Sequence, residues 1–442
     1  MPEALPAAPN PFHPIYAVLC LVVALLVLKW FGGSPAAPEK SRRVNSIDGL
    51  RGYLGFFVFL HHAAFWYSFV RTKQWAIPDS HLFIHLGQGS VLLFFMITGF
   101  LFFAKIRSNQ RGQLDWLRLF VSRVLRLTPL YLVIVAIVAV IVGVETHFTL
   151  QEPASRVATQ ALHWLSFCFF DSPPLNGFLT TWLITAGVSW TLRFEWLFYL
   201  ALPLVGVAIA PGRYIVFGAA AISLLLSISP YKHSTLPLCA FGSGMFAVLC
   251  VERPKLRRVL RSRPVAALAL AVLVFTVVHF PVTYVMWTQL PTAIELLVLA
   301  LLTLPFCAIA AGNPLFGALT HPLSRRLGDL SYGLYLLQGI VLYVAFRFVL
   351  GFERAAALSI PLYWCVVAVC GGVLVLSSML AFRFIEAPAL RLVNPATSGL
   401  RSPARLWRLM SDRLSNSKPN AATGKASEFV DDRPACVSAD KR

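Results

Sequence analysis

Several ionisable side chains stand inside or at the edge of apolar runs in this sequence, and each suggests a chemistry. His62 follows Arg51 by eleven residues, in a stretch that reads Asp48-Gly49-Leu50-Arg51-Gly52 and continues through apolar residues to His61-His62. At 100° per residue this spacing is about three helical turns, so both side chains share one face. The rise is roughly 16 Å, about half of a hydrocarbon core. If the helix enters a membrane at Arg51, His62 sits near the midplane. An imidazole at that depth is either a proton-transfer group or a satisfied polar residue between packed helices, and spacing alone does not choose.

Arg123 and Arg126 stand i,i+3 on one helical face in Arg123-Val-Leu-Arg126-Leu-Thr-Pro129-Leu-Tyr131. Paired guanidinium groups suit phosphate, through planar bidentate donors. They equally suit ordinary anchoring at the inner face of a membrane. Glu195 and Tyr199 are i,i+4 in an aromatic run with Trp196 and Phe198. A carboxylate there needs a partner, and an arginine is expected, Arg51 first and Arg193 second.

The elements that carry these residues are read from composition. The chain has 442 residues, 57% hydrophobic and 13% charged, with several runs of membrane-spanning length. A soluble multidomain chain would carry about twice that charge. The 38 Lys+Arg against 19 Asp+Glu cluster between apolar runs. That pattern fits cytoplasmic loops on anionic lipid, and argues against nucleic acid. The expected fold is an all-α, polytopic helical bundle of about eleven spans. They lie at about 14–31, 51–70, 89–105, 127–145, 187–209, 213–229, 235–251, 264–280, 290–311, 329–350 and 358–383. The basic loops, such as 105–126 and 253–263, all fall on one side, which puts the N-terminus outside and the C-terminus inside. Residues 1–13, rich in Pro and Ala, are expected to be disordered. The loop at 146–185 is long and holds apolar stretches. From about 395 the chain is rich in Ser, Asn and charge, as a flexible cytoplasmic tail is.

Of eight cysteines, Cys20, Cys239, Cys250, Cys307, Cys365 and Cys370 lie in or beside apolar runs, and no CxxC occurs. They read as small core residues, without a disulfide framework or structural zinc. His81 and His85 have a helical spacing compatible with metal but no carboxylate set nearby, so no metal site is expected.

The order of these motifs resembles the acyltransferase-3 family of integral membrane acyltransferases. The Arg51–His62 stretch is similar to the family's opening signature. Phe94-Phe95-Met96-Ile97-Thr98-Gly99-Phe100-Leu101 resembles F-F-x-x-S-G-F-L, with Thr98 for the usual serine. Arg123 to Tyr131 resembles R-x-x-R-x-x-P-x-Y, and Trp190 to Tyr199 resembles W-x-L-x-x-E-x-x-F-Y. Gly328-Asp329-Leu330-Ser331-Tyr332 opens a stretch similar to G-x-x-S-Y-x-I-Y-L-x-H, where Gln338 replaces the common histidine. Glu386-Ala387-Pro388 resembles the closing E-x-P, and alone reads as a helix stop. The resemblance covers 46–392, leaving an N-terminal segment 1–45 with one extra helix and a tail 393–442.

The resemblance implies a ten-helix core that transfers an acyl group, commonly acetyl from acetyl-CoA, to a hydroxyl of an envelope glycan or secondary metabolite. Acyl-CoA is then the donor substrate, with no bound cofactor. A glycan or lipid-linked saccharide is the acceptor, and the site is the cell inner membrane. His62, Arg51 and Glu195 are the implied catalytic residues. Asp48, Thr98, Arg123, Arg126, Trp190, Tyr199, Ser331 and Tyr332 are the implied substrate contacts. His62 acts either as general base or as carrier of the acyl group. The alternatives are a transporter or lipid flippase with His62 as proton relay, and a structural subunit of an envelope assembly.

Overall fold

The computed structural model describes residues 10–32, 44–108, 114–169, 171–209, 236–280 and 292–402. Among them there are helices and connecting loops but no strand, only an isolated bridge between Leu175 and Phe178. The helices are α1 (Pro14–Phe31), α2 (Asn45–Thr72), α3 (His81–Ser108), α4 (Trp116–Glu145), α5 (Ala154–Leu165), α6 (Trp190–Ile209) and α7 (Leu236–Val251). They continue as α8 (Pro254–Leu260), α9 (Arg263–His279), α10 (Thr292–Ala310), α11 (Pro322–Asp329), α12 (Ser331–Val349), α13 (Phe352–Ala357), α14 (Ile360–Ala381) and α15 (Val393–Arg401).

Seven of these (α1 to α4, α10, α12 and α14) are long and apolar enough to cross a membrane. An eighth is added if α7 and α8, joined at a 110° bend, form one broken span. Helices α6 and α9 stand where the fifth and eighth spans were expected. The expected sixth span, 213–229, lies outside the described residues.

Local chemistry explains where the sequence boundaries move. Helix α4 begins eleven residues before its apolar run, because the Asp115 carboxylate accepts the Arg118 N–H at 3.0 Å and caps the helix there. Arg118, Arg123 and Arg126 are therefore helical rather than in a loop. The basic stretch after α7 is likewise not a plain loop, since Pro254 starts α8. The first residues are not disordered as far as they are described. Phe12 is buried, and the Trp364 indole donates to the Pro11 carbonyl at 2.7 Å. Residues 393–401, assigned to the tail, form α15, which belongs to a separate compact unit.

Two seams of bare backbone set the core. A Cβ on Gly52 would run into Leu327 and Gly328, and one on Gly328 would strike the Asp48 carbonyl, so α2 and α11 cross at backbone contact. Gly99 of α3 and Gly244 of α7 do the same for each other, against Phe241 and Met96. Gly99 thus lets α3 and α7 approach closely.

Helix α1 lies on α14 through Cys20, Ala24 and Leu28, one stripe at i, i+4 and i+8. Its opposite face exposes Ile15, Val18, Val22 and Leu26. Tyr363 of α14 donates to the Ala63 carbonyl of α2 at 2.7 Å, which ties the last long helix to the second. Two helices contain π turns, His85–Gly89 in α3 and Val344–Val349 in α12, and a third turn, Phe382–Glu386, follows α14. Such turns insert one residue into the helical ladder and re-aim the side chains beyond it. The first and third of them shape the site.

Candidate active site

Eight of the eleven residues singled out in the sequence meet around one cavity. Arg51 comes from α2, Thr98 from α3, Arg123 and Arg126 from α4, Glu195 and Tyr199 from α6, Ser331 and Tyr332 from α12. The cavity holds about 850 Å³ of empty space, part of it open to the outside. Phe94, Phe95, Leu101 and Phe102 make its apolar wall.

Its charges are arranged unequally. The Arg126 guanidinium is ion-paired with Glu386 at 3.3 Å, and Glu386 is 1% exposed. Glu386 reaches this place because the π turn at 382–386 carries it under α4. Read in sequence as a helix stop, it is the buried counter-charge of the cavity. Arg123 stacks over the Phe102 ring at 5.2 Å, donates to Ser122 at 3.2 Å, and keeps its Nε unpartnered. Arg51 makes no hydrogen bond or ion pair among the described residues, and its nearest charges are Arg126, Asp48, Arg123 and Glu195. A cavity with two guanidinium groups that have no carboxylate within ion-pair distance among the described residues is suited to a phosphate-bearing ligand.

The expected Arg51–Glu195 ion pair is not formed. Glu195 instead accepts a hydrogen bond from the Tyr199 hydroxyl, one helical turn on, and no arginine lies within ion-pair distance of it among the described residues. Tyr332 donates to the Leu127 carbonyl at 2.7 Å, and Tyr335 shares a hydrogen bond with Thr191 at 2.8 Å. Asp48 lines neither this cavity nor the one beside it. The glycine seam holds its backbone against Gly328, and only its charge reaches Arg51.

His62 lies in a second cavity, about 1180 Å³ and also partly open, that meets the first at Val91 and Tyr335. Trp190 belongs here with it, apart from the arginines. The walls are aromatic. Trp75 packs on Phe65 at 5.2 Å and on Trp182 at 5.4 Å, and lies 6.3 Å from the His62 ring. Neither Trp75, Trp182 nor Phe65 was singled out in the sequence. Two of the three sit in or next to loops, where no helical period marks them.

The His62 Nδ1–H donates to the Val58 carbonyl at 3.0 Å, one turn back on α2. A carbonyl can only accept, so this bond fixes the proton on Nδ1 and makes Nε2 the basic nitrogen. Gln338, fully buried, faces the same ring. His61, about 100° around α2 from His62, makes a different hydrogen bond. Its Nδ1–H donates to the Phe83 carbonyl at 2.7 Å. Yet it lines the same cavity, 5.0 Å from His62 ring to ring, because Gly87 in the π turn of α3 leaves room for its ring and no side chain would fit there.

No group of three or more metal-ligating side chains occurs among the described residues. His81 and His85, spaced as ligands, each bond a backbone carbonyl at the end of α9, of Val278 and Phe280.

No curated protein and no solved structure matches the chain. A family model does: that of acyltransferase-3, described as an acyltransferase domain, matches residues 44–382. The match begins just before α2 and ends in the π turn beyond α14, so it takes in both cavities and leaves out α1. A transporter or a structural subunit is thereby set aside. With its run of long apolar helices and three quarters of its length inside that match, the chain belongs to the acyltransferase-3 family and is a multi-pass membrane acyltransferase.

Proposed function

We propose that this enzyme moves an acyl group, acetyl first among candidates, from acyl-CoA to a hydroxyl of an envelope glycan or lipid-linked saccharide at the cell inner membrane. The observation that carries this reading is the junction of a cationic cavity and a histidine cavity at Val91 and Tyr335. In the eleven-span topology read from the basic loops, with the N-terminus outside, the arginine cavity lies on the cytoplasmic side, where acyl-CoA is. Arg51 and Arg123 hold donor phosphate there. Arg126, neutralised by Glu386, shapes the wall. The pantetheine arm runs past Thr98, Ser331 and Tyr335, and the thioester arrives beside His62.

The acceptor enters the aromatic cavity from the other side. His62 Nε2 takes the proton of its hydroxyl as the oxygen bonds to the thioester carbonyl carbon. The carbon–sulfur bond then breaks, and the CoA thiolate recovers the proton from His62. Fixing the tautomer through Val58 presents the Nε2 lone pair that this general-base role uses.

The test is thioester cleavage by the purified protein. Incubation with acetyl-CoA should release free CoA thiol, and envelope glycan from a deletion strain should lose ester-linked acetyl in mass spectrometry. Protein that binds acetyl-CoA but releases no thiol with any envelope fraction would overturn the donor assignment.

A further inference from the structure

Helix α1 lies outside the family match, yet its leading residues reach the histidine cavity through one continuous set of contacts. The segment Asn10-Pro11-Phe12-His13-Pro14 is locally determined. The Asn10 side chain accepts the Phe12 N–H at 2.8 Å, the His13 ring accepts the Ile15 N–H at 3.3 Å, and Pro14 opens the helix. This fixes where Phe12 projects. Its ring packs on Tyr67 of α2 at 5.6 Å and on Phe83 of α3 at 5.8 Å. Phe83 is fully buried and also packs on Trp364 at 5.1 Å. Trp364 in turn stacks with Tyr16 of α1 at 5.5 Å and donates to the Pro11 carbonyl.

The Phe83 carbonyl is the acceptor for His61, whose ring fills the gap over Gly87 and packs edge-on against His62. Phe12 therefore covers the outer side of the short segment whose inner side supports the two imidazoles. The regular hydrogen-bond ladder of α3 is interrupted directly after this point, by the π turn at 85–89.

We propose that Phe12 is a positioning residue for His62, and that α1 is a brace that holds the histidine cavity in shape. The inference rests on the reading of His62 as general base. Loss of the Phe12 ring frees Phe83 to shift, moves the carbonyl that anchors His61, and lets the His62 ring leave its line to the thioester. A shift of about 1 Å at such a group is enough to slow the chemical step severely.

The experiment measures CoA thiol release from acetyl-CoA, with water as acceptor, by detergent-purified variants whose melting temperatures are also measured. Phe12→Ala is expected to lower kcat about tenfold, with the KM for acetyl-CoA within twofold of the parent. Phe12→Leu, which refills most of the volume, should recover at least half of the lost rate. Leu28→Ala is the control: Leu28 is 1% exposed at the far end of the same helix, so it loosens α1 on α14 without touching Phe83. It should lower the melting temperature as much while leaving kcat unchanged. Should Phe12→Ala not purify as a folded protein, Phe12→Val is judged by the same numbers. An unchanged kcat in the Phe12 variants, or an equal loss in Leu28→Ala, overturns the proposal. Full thiol release by His62→Ala would instead overturn the general-base reading, so the two failures are distinguishable.

Discussion

The arginine cavity and the histidine cavity lie along one face of α2, yet they are built from different materials. The first gathers three guanidinium groups, two carboxylates within reach and six hydroxyls from three different helices. The second surrounds two imidazoles with Trp75, Trp182, Trp190 and Phe65. In the first, one arginine is neutralised by a buried carboxylate and the other two have no carboxylate within ion-pair distance among the described residues, which suits an anionic ligand. In the second, both imidazoles are held in defined tautomers by backbone carbonyls. On the proposed function, binding falls to the fixed charges and proton transfer to an imidazole kept away from them.

That division can be broken most visibly at His62. His62→Ala should lower turnover by about two to four orders of magnitude, the usual worth of general acid–base catalysis, while the dissociation constant for acetyl-CoA stays within about twofold. Loss of donor binding in this variant would erase the distinction between the cavities. The converse test is Arg51→Ala or Arg123→Ala. Each removes a charge-assisted contact made equally in ground and transition states. The KM for acetyl-CoA should rise about 10- to 100-fold with turnover changed by only a few-fold.

A smaller effect separates Arg126 from its neighbours. Glu386→Gln leaves the Arg126 guanidinium without its counter-charge, so it should lower stability by roughly 1–3 kcal/mol, read as a lower melting temperature. The companion Arg126→Met, Glu386→Gln double variant should recover part of that loss. The smallest effect belongs to Tyr199→Phe. It removes the hydroxyl that Glu195 accepts from, for about 1 kcal/mol, and should raise the KM for acetyl-CoA by no more than about fivefold.

The sequence was most legible where motifs lie on long helices. Arg51, Thr98, Arg123, Arg126, Glu195, Tyr199, Ser331 and Tyr332 come from four long helices and α6, and their convergence results from those helices packing side by side. It was least legible where a residue's role depends on a partner far along the chain. Glu386 looked like part of a helix stop because its partner is 260 positions away and the π turn that delivers it has no composition signal. The Arg51–Glu195 pair was expected because an apolar run seemed to leave the carboxylate alone. The hydroxyl of Tyr199 was already one turn away. The start of α4 moved for a related reason, since a single Asp115 side chain outweighed the hydropathy boundary. The brace at Phe12 was hidden in a segment whose Pro and Ala content reads as disorder, though Asn10 and His13 supply local order.

The two glycine seams have a consequence for the mechanics of the enzyme. Where α2 meets α11 and α3 meets α7, backbone touches backbone with no side chain between to act as lubricant. Helices joined this way neither slide nor roll without losing van der Waals contact along the whole seam. A carrier that alternates between two sides needs such sliding. Here α2 and α3, which line both cavities, are welded to their neighbours. On the proposed function, two substrates come to opposite sides of a stationary wall, and the acyl group is the only thing that crosses it.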